Sequence, residues 1–247
     1  MKAMVFAAGL GTRLKPLTDT MPKALVKVSG KPLIGYILGK LAASGYDDIT
    51  VNVHHFPQQI REYLLREDFG ARISISDESG MLLETGGALW KARPLLDGGS
   101  EPFLVHNVDI LSNLDFAGFR SAFRPGALAV LAVSDRKTRR YLLFDADMRL
   151  VGWTDALTGE VRSPFPGLDP STCRRYAFAG IHNISPVVFE VFDRLGFSGR
   201  FSIIDFYLRA CSEYPVYGVV PDDFKMLDVG KAGSIEEAEN NLSIFAV

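Results

Sequence analysis

The chain has 247 residues, of which 47% are hydrophobic, and this apolar content is enough to fill one large or two small domain cores. The formal net charge of −2 at pH 7 gives no general attraction to nucleic acid or to an anionic membrane surface, so any cationic site has to be local. No stretch approaches the roughly 20 apolar residues that a membrane span needs. Composition therefore predicts a globular protein with neither nucleic acid nor membrane as a partner.

The two cysteines favour a reducing compartment. Cys173 and Cys211 lie outside any Cys-x-x-Cys or Cys/His metal spacing, which predicts two reduced thiols rather than a disulfide or a zinc site. The apolar run after Lys2 is too short for a secretory signal and is interrupted by Gly9. We expect a cytoplasmic protein.

Strands and helices alternate through the first 110 residues. Apolar periods predict strands at 4–8, 49–53, 73–76 and 103–105, and helices at 32–44, 58–65 and 87–95. Pro32 lies near the start of the first helix, and Gly45 lies just past its end. This alternation predicts a Rossmann-like, doubly wound α/β fold with a mostly parallel central sheet.

The second half has a more mixed pattern. It predicts strands at 128–133, 141–144, 150–153, 176–184 and 216–220, and helices at 186–195, 203–211 and 234–241. The polar run 145–148 predicts a hairpin turn, and Ser234 is expected to cap the last helix with Glu237 at its third position. We expect one domain over residues 1–247, with a first lobe at 1–110 and a second, mixed lobe at 111–247.

A glycine-rich loop follows the first strand. Gly9 and Gly11 provide conformational freedom and leave room for a ligand to approach the backbone. Three cations follow these glycines closely in the chain: Arg13, Lys15 and Lys23. They favour a polyphosphate over a neutral ligand. Neither the P-loop pattern nor the dinucleotide pattern Gly-x-Gly-x-x-Gly is present. The loop therefore predicts phosphate binding of another kind.

This segment resembles the signature of the sugar-phosphate nucleotidyltransferases, Leu-Ala-Gly-Gly-x-Gly-Thr-Arg-Leu-x-Pro-Leu-Thr followed by Pro-Lys-Pro-Leu. Here residues 6–18 read Phe-Ala-Ala-Gly-Leu-Gly-Thr-Arg-Leu-Lys-Pro-Leu-Thr, and residues 22–25 read Pro-Lys-Ala-Leu. The resemblance implies an enzyme that joins a nucleoside triphosphate to a sugar 1-phosphate and releases pyrophosphate. It implies that Arg13 and Lys23 act in catalysis and that the first lobe binds the nucleotide through Ala7, Ala8, Gly9, Gly11, Thr12 and Arg13.

Two aspartates are the candidate Mg²⁺ ligands. Asp109 follows a buried strand at the edge where open α/β sheets bind ligands, and its Asn-Val-Asp setting resembles the family's Asn-Gly-Asp. Val108 replaces the usual small residue. Asp228, in Met-Leu-Asp-Val-Gly, resembles the second ligand in the family's Trp-x-Asp-x-Gly-Thr. A Mg²⁺ ion that bridges phosphates normally takes one or two protein carboxylates.

The remaining site residues also follow from the resemblance. Residues 82–88, Leu-Leu-Glu-Thr-Gly-Gly-Ala, resemble a loop that closes over base and sugar, although Glu84 stands where Gly is usual. We expect nucleotide contacts from Gln58, Glu84 and Thr85, and sugar contacts from Asn107 and Gly180. The family's second lysine, in a Glu-Lys-Pro element, is absent: residues 151–155 read Val-Gly-Trp-Thr-Asp.

The loop variant is similar to the bacterial branch that contains N-acetylmuramate-1-phosphate uridylyltransferase and mannose-1-phosphate guanylyltransferase-like enzymes. We therefore expect UTP and an N-acetylated amino-sugar 1-phosphate as substrates, with GTP and mannose or heptose 1-phosphate as the alternative. A non-catalytic nucleotide-sugar sensor and a glycosyltransferase, which would use Asp145-Ala146-Asp147 to bind metal, are the rival classes. We expect a monomer or a small homo-oligomer.

Overall fold

The first half of the chain alternates strands and helices as predicted. The structure is a computed structural model that describes residues 1–231 and 233–245. Short 3₁₀ turns occupy Thr12–Leu14, Leu17–Asp19 and Lys23–Leu25 in the glycine-rich loop. The regular elements are β1 (Lys2–Phe6), β2 (Lys27–Val28), β3 (Lys31–Pro32), α1 (Leu33–Ala43), β4 (Asp48–Val53), α2 (Pro57–Arg66), β5 (Arg72–Asp77), α3 (Glu84–Lys91), α4 (Arg93–Leu96) and β6 (Phe103–Asn107).

The second half is richer in antiparallel strands. Its elements are β7 (Ile110–Ser112), α5 (Phe116–Ser121), β8 (Ala129–Ser134), β9 (Arg140–Phe144), β10 (Leu150–Asp155), β11 (Val161–Arg162), β12 (Arg174–Ile184), α6 (Val188–Leu195), α7 (Ile203–Ala210), β13 (Val216–Val219), β14 (Met226–Asp228), α8 (Ser234–Asn240) and α9 (Leu242–Phe245). None of the helices in the described ranges is long and apolar enough to cross a membrane.

One sheet contains strands from both halves. Its order is β11-β10-β9-β12-β6-β1-β4-β5, and β8 and β13 join it through β12. The pairs β6·β1, β1·β4 and β4·β5 are parallel, whereas β12 pairs antiparallel with β6, β8 and β9. The expected parallel sheet with a mixed second part is therefore confirmed.

Apolar side chains on the two faces of this sheet form two cores. Along β1, Ala3 and Val5 pack in one buried cluster and Met4 packs in the other, because successive side chains of a strand point to opposite faces. Helix α1 covers the first face with the residues that its period predicts, from Leu33 to Leu41. Helices α6 and α7 cover the second face. The sheet is thereby buried on both sides, which leaves its edges and loops for function.

Two local predictions were wrong. The helix expected at 87–95 begins earlier, at Glu84, and is interrupted at Ala92 because Pro94 lacks the N–H that a continuous helix needs. Helix α8, which was expected at 234–241, has Gly233 at its N-cap position, with φ of +82°, and not Ser234. The Ser234 hydroxyl instead donates a hydrogen bond to the Lys231 carbonyl and accepts one from the Lys231 N–H.

Candidate active site

The candidate site lies at the carboxyl ends of β1, β4 and β6. In the sheet register Phe6 pairs with both Asn52 and Asn107, so these three strands end at the same level. The Asn52 side-chain oxygen accepts hydrogen bonds from the N–H groups of Ala7 and Ala8, at 2.7 and 3.3 Å. The protein itself therefore engages these two amides, although Ala7 and Ala8, with Gly9, line the cavity described below.

Gly11 is required by the shape of the loop. Its φ of +65° lies in the left-handed region, and a Cβ atom there would come within 2.7 Å of the Thr18 methyl carbon and 3.1 Å of the Lys23 Cβ. The Thr18 hydroxyl donates a 2.8 Å hydrogen bond to the Gly11 carbonyl, which closes the loop on itself. This close packing fixes the direction of the backbone at the next two residues, Thr12 and Arg13.

Cations from the loop meet the two candidate metal ligands. The Lys23 ammonium forms an ion pair with the Asp109 carboxylate, and only 7% of Lys23 is exposed. The Arg13 guanidinium lies 3.7 Å from an oxygen of Asp228. A Cβ atom at Gly230 would collide with the Lys23 ammonium, and it would lie 2.7 Å from Asp228 Oδ1 and 2.8 Å from an Arg13 nitrogen. Lys23, Arg13 and Asp228 therefore converge on Gly230, and Asp109 joins them through its ion pair with Lys23.

Asp109 and Asp228 are brought together by a small second sheet. Strands β7 and β14 pair antiparallel, with Ile110 opposite Asp228. The Val229 N–H then donates a 2.8 Å hydrogen bond to the Asp109 carbonyl. Neither strand was predicted from the sequence, because each is only three residues long. The pairing of β7 with β14 thus holds the carboxylates of Asp109 and Asp228, which are distant in sequence, together on one side of the glycine-rich loop.

The donor set at this point fits a Mg²⁺ ion that also binds phosphates. Mg²⁺ prefers oxygen ligands, and with a polyphosphate it needs only one or two carboxylates because phosphate oxygens and water complete its shell. Asp109 and Asp228 supply two carboxylates, each balanced by a cation in the structure. The described residues contain no group of three or more His, Cys, Asp and Glu side chains with metal-ligand geometry. Asp109 and Asp228 are thus suited to hold a metal together with a substrate.

A cavity of about 360 Å³ opens beside the loop. Glu84, Thr85, Asn107 and Asp109 line it, as does Lys23. Three further polar lining residues were not predicted from the sequence: Asn52, Glu78 and Ser202. Asn52 was detectable in principle, since it is the one amide in a predicted strand that otherwise consists of Ile, Val and Thr.

Asn52 and Glu78 form a buried polar pair beneath the cavity. Glu78 is fully buried, and its carboxylate accepts hydrogen bonds from the Asn52 side-chain amide at 2.7 Å and from the Leu83 N–H at 3.2 Å. Burial raises the pKa of Glu78, and these two hydrogen bonds oppose the rise. The pair connects the loop amides at Ala7 and Ala8 to the segment that carries Glu84 and Thr85.

That segment, residues 82–88, is docked on the chain at 199–203. The Phe201 carbonyl accepts hydrogen bonds from the N–H groups of Gly86 and Gly87, at 2.9 and 3.1 Å. The Thr85 hydroxyl accepts one from the Ile203 N–H at 3.0 Å. Glu84 has a φ of +61°, a left-handed conformation that explains why Gly is usual at this place, and its carboxylate forms an ion pair with Arg200 at 2.9 Å.

Gly87→Ala is expected to lower stability by about 1–3 kcal/mol, because the new methyl group would collide with the carbonyl oxygen of Gly199. For a chain of this size each kcal/mol lowers the midpoint of thermal unfolding by about 2–4 °C. Gly80→Ala is the matched control, since a Cβ atom at Gly80 meets nothing within 4 Å. Equal unfolding temperatures for the two variants would contradict the docking of this segment.

Gln58 and Gly180 do not line the cavity, and neither do four other predicted site residues: Gly11, Thr12, Arg13 and Asp228. Gln58 is exposed in the first turn of α2 and is not among the residues that line the cavity; its neighbour Gln59 donates a hydrogen bond to the Thr20 carbonyl. Gly180 lies behind Asn107: its φ is +74°, and a Cβ atom there would come within 2.6 Å of the Asn107 amide nitrogen. Gly180 therefore supports the Asn107 side chain rather than leaving its own backbone open.

The rival Asp-x-Asp motif forms a turn that the Asp145 side chain stabilises. The predicted hairpin between β9 and β10 is confirmed, and Asp145 accepts hydrogen bonds from the N–H groups of Asp147 and Arg149 at 3.0 and 2.8 Å. This turn does not argue for glycosyl transfer.

Val108, which replaces a small residue, is 4% exposed and packs largely in the core.

Known proteins resemble this chain in sequence. N-acetylmuramate alpha-1-phosphate uridylyltransferase of Caulobacter vibrioides is 35% identical over 235 residues, which are 91% of this chain and 90% of the relative. The protein of that name from Neisseria meningitidis is 46% identical over 124 residues, 49% of this chain, and the match spans about half, 53%, of the relative. Mannose-1-phosphate guanyltransferase of Neurospora crassa is 41% identical over 118 residues, 47% of this chain and 32% of the relative.

The fold is also found among solved structures. UDP-glucose pyrophosphorylase in complex with UDP-glucose superposes with a TM-score of 0.75 at 18% identity, and the match covers 98% of both chains. The family model described as nucleotidyl transferase matches residues 2–148. A match over more than half of the chain, together with a relative aligned along nearly its whole length, shows that this enzyme belongs to the nucleotidyl transferase family, as the glycine-rich loop predicts.

Proposed function

We propose that the enzyme transfers a nucleotidyl group from UTP to N-acetylmuramate 1-phosphate or a similar amino-sugar 1-phosphate, forming a UDP-sugar and pyrophosphate. The observation that carries this proposal is the convergence of Arg13, Lys23, Asp109 and Asp228 beside the glycine-rich loop. The Caulobacter relative, aligned along nearly the whole chain, supports the choice of substrates.

The site is suited to a displacement that needs no proton transfer. The phosphate oxygen of a sugar 1-phosphate is already ionised at neutral pH, so the protein has only to position two anions and offset the charge that develops. Gly9, Gly11 and Thr12 would hold the β- and γ-phosphates with Arg13, and Lys23 would contact the α-phosphate. Asp109 and Asp228 would hold a Mg²⁺ ion, which supplies further charge neutralisation on the phosphates.

The ion pairs of the structure suit this role. Lys23 and Arg13 are kept at the mouth of the loop by Asp109 and Asp228, where phosphate oxygens can replace the carboxylates as partners. Asn52 and Glu78, beneath the same cavity, hold the loop and the segment 82–88 in place, and Glu84 and Thr85 would contact the base. Asn107, which lines the cavity and packs against Gly180, would contact the sugar.

The second candidate is guanylyl transfer to mannose 1-phosphate, which the relatives of that name favour through the first half of the chain. A sensor is a weaker alternative, since it would not need both carboxylates and both cations. We further propose a single cytoplasmic domain over residues 1–247, with a nucleotide-binding lobe at 1–110 and a sugar-binding lobe at 111–247. It would act as a monomer or small homo-oligomer in the synthesis of nucleotide sugars for the cell envelope.

A matrix of four NTPs against several sugar 1-phosphates, scored by pyrophosphate release, tests the proposal. We expect the highest kcat/KM for UTP with N-acetylmuramate 1-phosphate. The base preference is checked without catalysis by thermal unfolding with each NTP and Mg²⁺, because a ligand at 100 times its Kd stabilises by about 2.7 kcal/mol. A higher unfolding temperature with GTP and no change with UTP would favour guanylyl transfer. If no pair of NTP and sugar 1-phosphate released pyrophosphate, the proposed function would be contradicted.

A further inference from the structure

A second cavity adjoins the first and is walled by arginines. It has a volume of about 590 Å³ and shares Glu84 and Ser202 with the nucleotide cavity, so the two lie side by side. We call it the basic cavity, after Arg136, Arg140 and Arg162, which line it together with the aromatic rings of Trp153 and Phe178. This size is typical of small-molecule sites.

One of the three arginines is already neutralised. Arg162 donates to the Asp205 carboxylate at 2.7 Å, and its guanidinium lies 5.7 Å from the centre of the Trp153 ring. Glu84, at the border of the cavity, is paired with Arg200. The remaining acidic lining residue is Glu160, an exposed side chain in the turn between β10 and β11.

The other two arginines have no carboxylate partner among the residues that the structure describes. Arg136 donates one 3.1 Å hydrogen bond to the Phe178 carbonyl, and its Nε atom is buried without any partner in those residues. A buried donor on a charged group is costly unless an acceptor reaches it. Arg140 projects from the start of β9, and its guanidinium has no hydrogen bond or ion pair within the described ranges.

The positions of these two arginines separate their roles. Arg136 also borders a smaller cavity that contains Asp228, so it lies between the candidate metal ligand and the basic cavity. An anion held there would be the phosphate of the sugar substrate, and Arg136 would replace the lysine that the second lobe lacks. Of these two cavities, Arg140 borders only the basic one and not the one that contains Asp228.

We propose that Arg140 binds a carboxylate on the sugar and so selects acidic sugar 1-phosphates. This inference rests on the proposed function and names the residue that sets its substrate class. N-acetylmuramate differs from N-acetylglucosamine by a lactate ether on O3, which adds one carboxylate. The guanidinium fork matches a carboxylate with two parallel hydrogen bonds, whereas a neutral sugar offers it no anion. Trp153 and Phe178 provide apolar surface for the ring and the N-acetyl group.

The test compares two substrates that differ only by this lactate group. With UTP, we expect Arg140→Gln to lower kcat/KM for N-acetylmuramate 1-phosphate about 10–100-fold more than for N-acetylglucosamine 1-phosphate. Lys137→Gln is the matched control, because Lys137 is an exposed cation in the same segment and does not line the basic cavity. Arg136→Gln should lower kcat/KM for both sugars to a similar extent.

An unchanged substrate ratio in Arg140→Gln, or the same change of ratio in Lys137→Gln, would overturn the proposal. If no sugar 1-phosphate yields pyrophosphate, the proposed function has failed, and calorimetric titration of the same two sugar 1-phosphates still decides this inference. Preferential binding of N-acetylmuramate 1-phosphate that is lost in Arg140→Gln would support it. Equal affinities of the two sugars for the unmodified enzyme would refute it.

Discussion

Asp109→Asn and Asp228→Asn are each expected to lower turnover by about 10³-fold or more while leaving the fold intact. Each change removes one of the two carboxylates suited to Mg²⁺, and about 4 kcal/mol of lost charge stabilisation corresponds to a 10³-fold loss of rate. The contacts that hold the two strands together use the backbone of residue 109, so they survive the substitution. An Asn at 228 can still accept the 2.8 Å hydrogen bond from the Gly230 N–H.

The measurement is pyrophosphate release as a function of Mg²⁺ concentration, with thermal unfolding to confirm that each variant is folded. Asp222→Asn is the matched control, because Asp222 is an exposed carboxylate in the turn after Pro221 and should be replaceable without loss of activity. If either variant of the candidate metal ligands retained turnover within about tenfold of the original enzyme, the assignment of that residue would be wrong.

Lys23→Ala is expected to reduce turnover by about 10²–10⁴-fold. Lys23 is nearly buried at the mouth of the cavity, where a charge-assisted contact to a phosphate contributes several kcal/mol to lowering the barrier. The substitution also leaves Asp109 without its cation. Arg13→Ala should be severe as well, since Arg13 is the cation beside Asp228.

Lys15→Ala provides the control, because it removes a cation from the same loop. Lys15 is exposed and forms a 2.9 Å ion pair with Asp19, four residues further along the chain, and surface pairs of this kind contribute little to stability. We expect its turnover within about twofold of the original enzyme. A loss as large as that of Lys23→Ala would mean that the phosphates follow a different path along the loop.

Local sequence was sufficient for most of the fold. The apolar periods predicted helix α1 and every strand of the central sheet except the two-residue β11 within a few residues, because burial of one face or both faces imposes a periodic pattern of apolar residues. The breaks at Pro94 and Gly233 were missed, although both residues carry a local signal. Helix ends depend on single backbone groups, and an apolar period does not report them.

The candidate site was predictable only in part. The sequence by itself determined the glycine-rich loop, its cations and the family, since these lie within one short segment. The tertiary structure alone decided that Asp109 and Asp228 meet through β7 and β14, that Asn52 and Glu78 form one buried pair, and that Gly180 supports a side chain. Such contacts join residues far apart in the chain, and no local pattern encodes them, because their energy comes from groups that meet only after the sheet has formed.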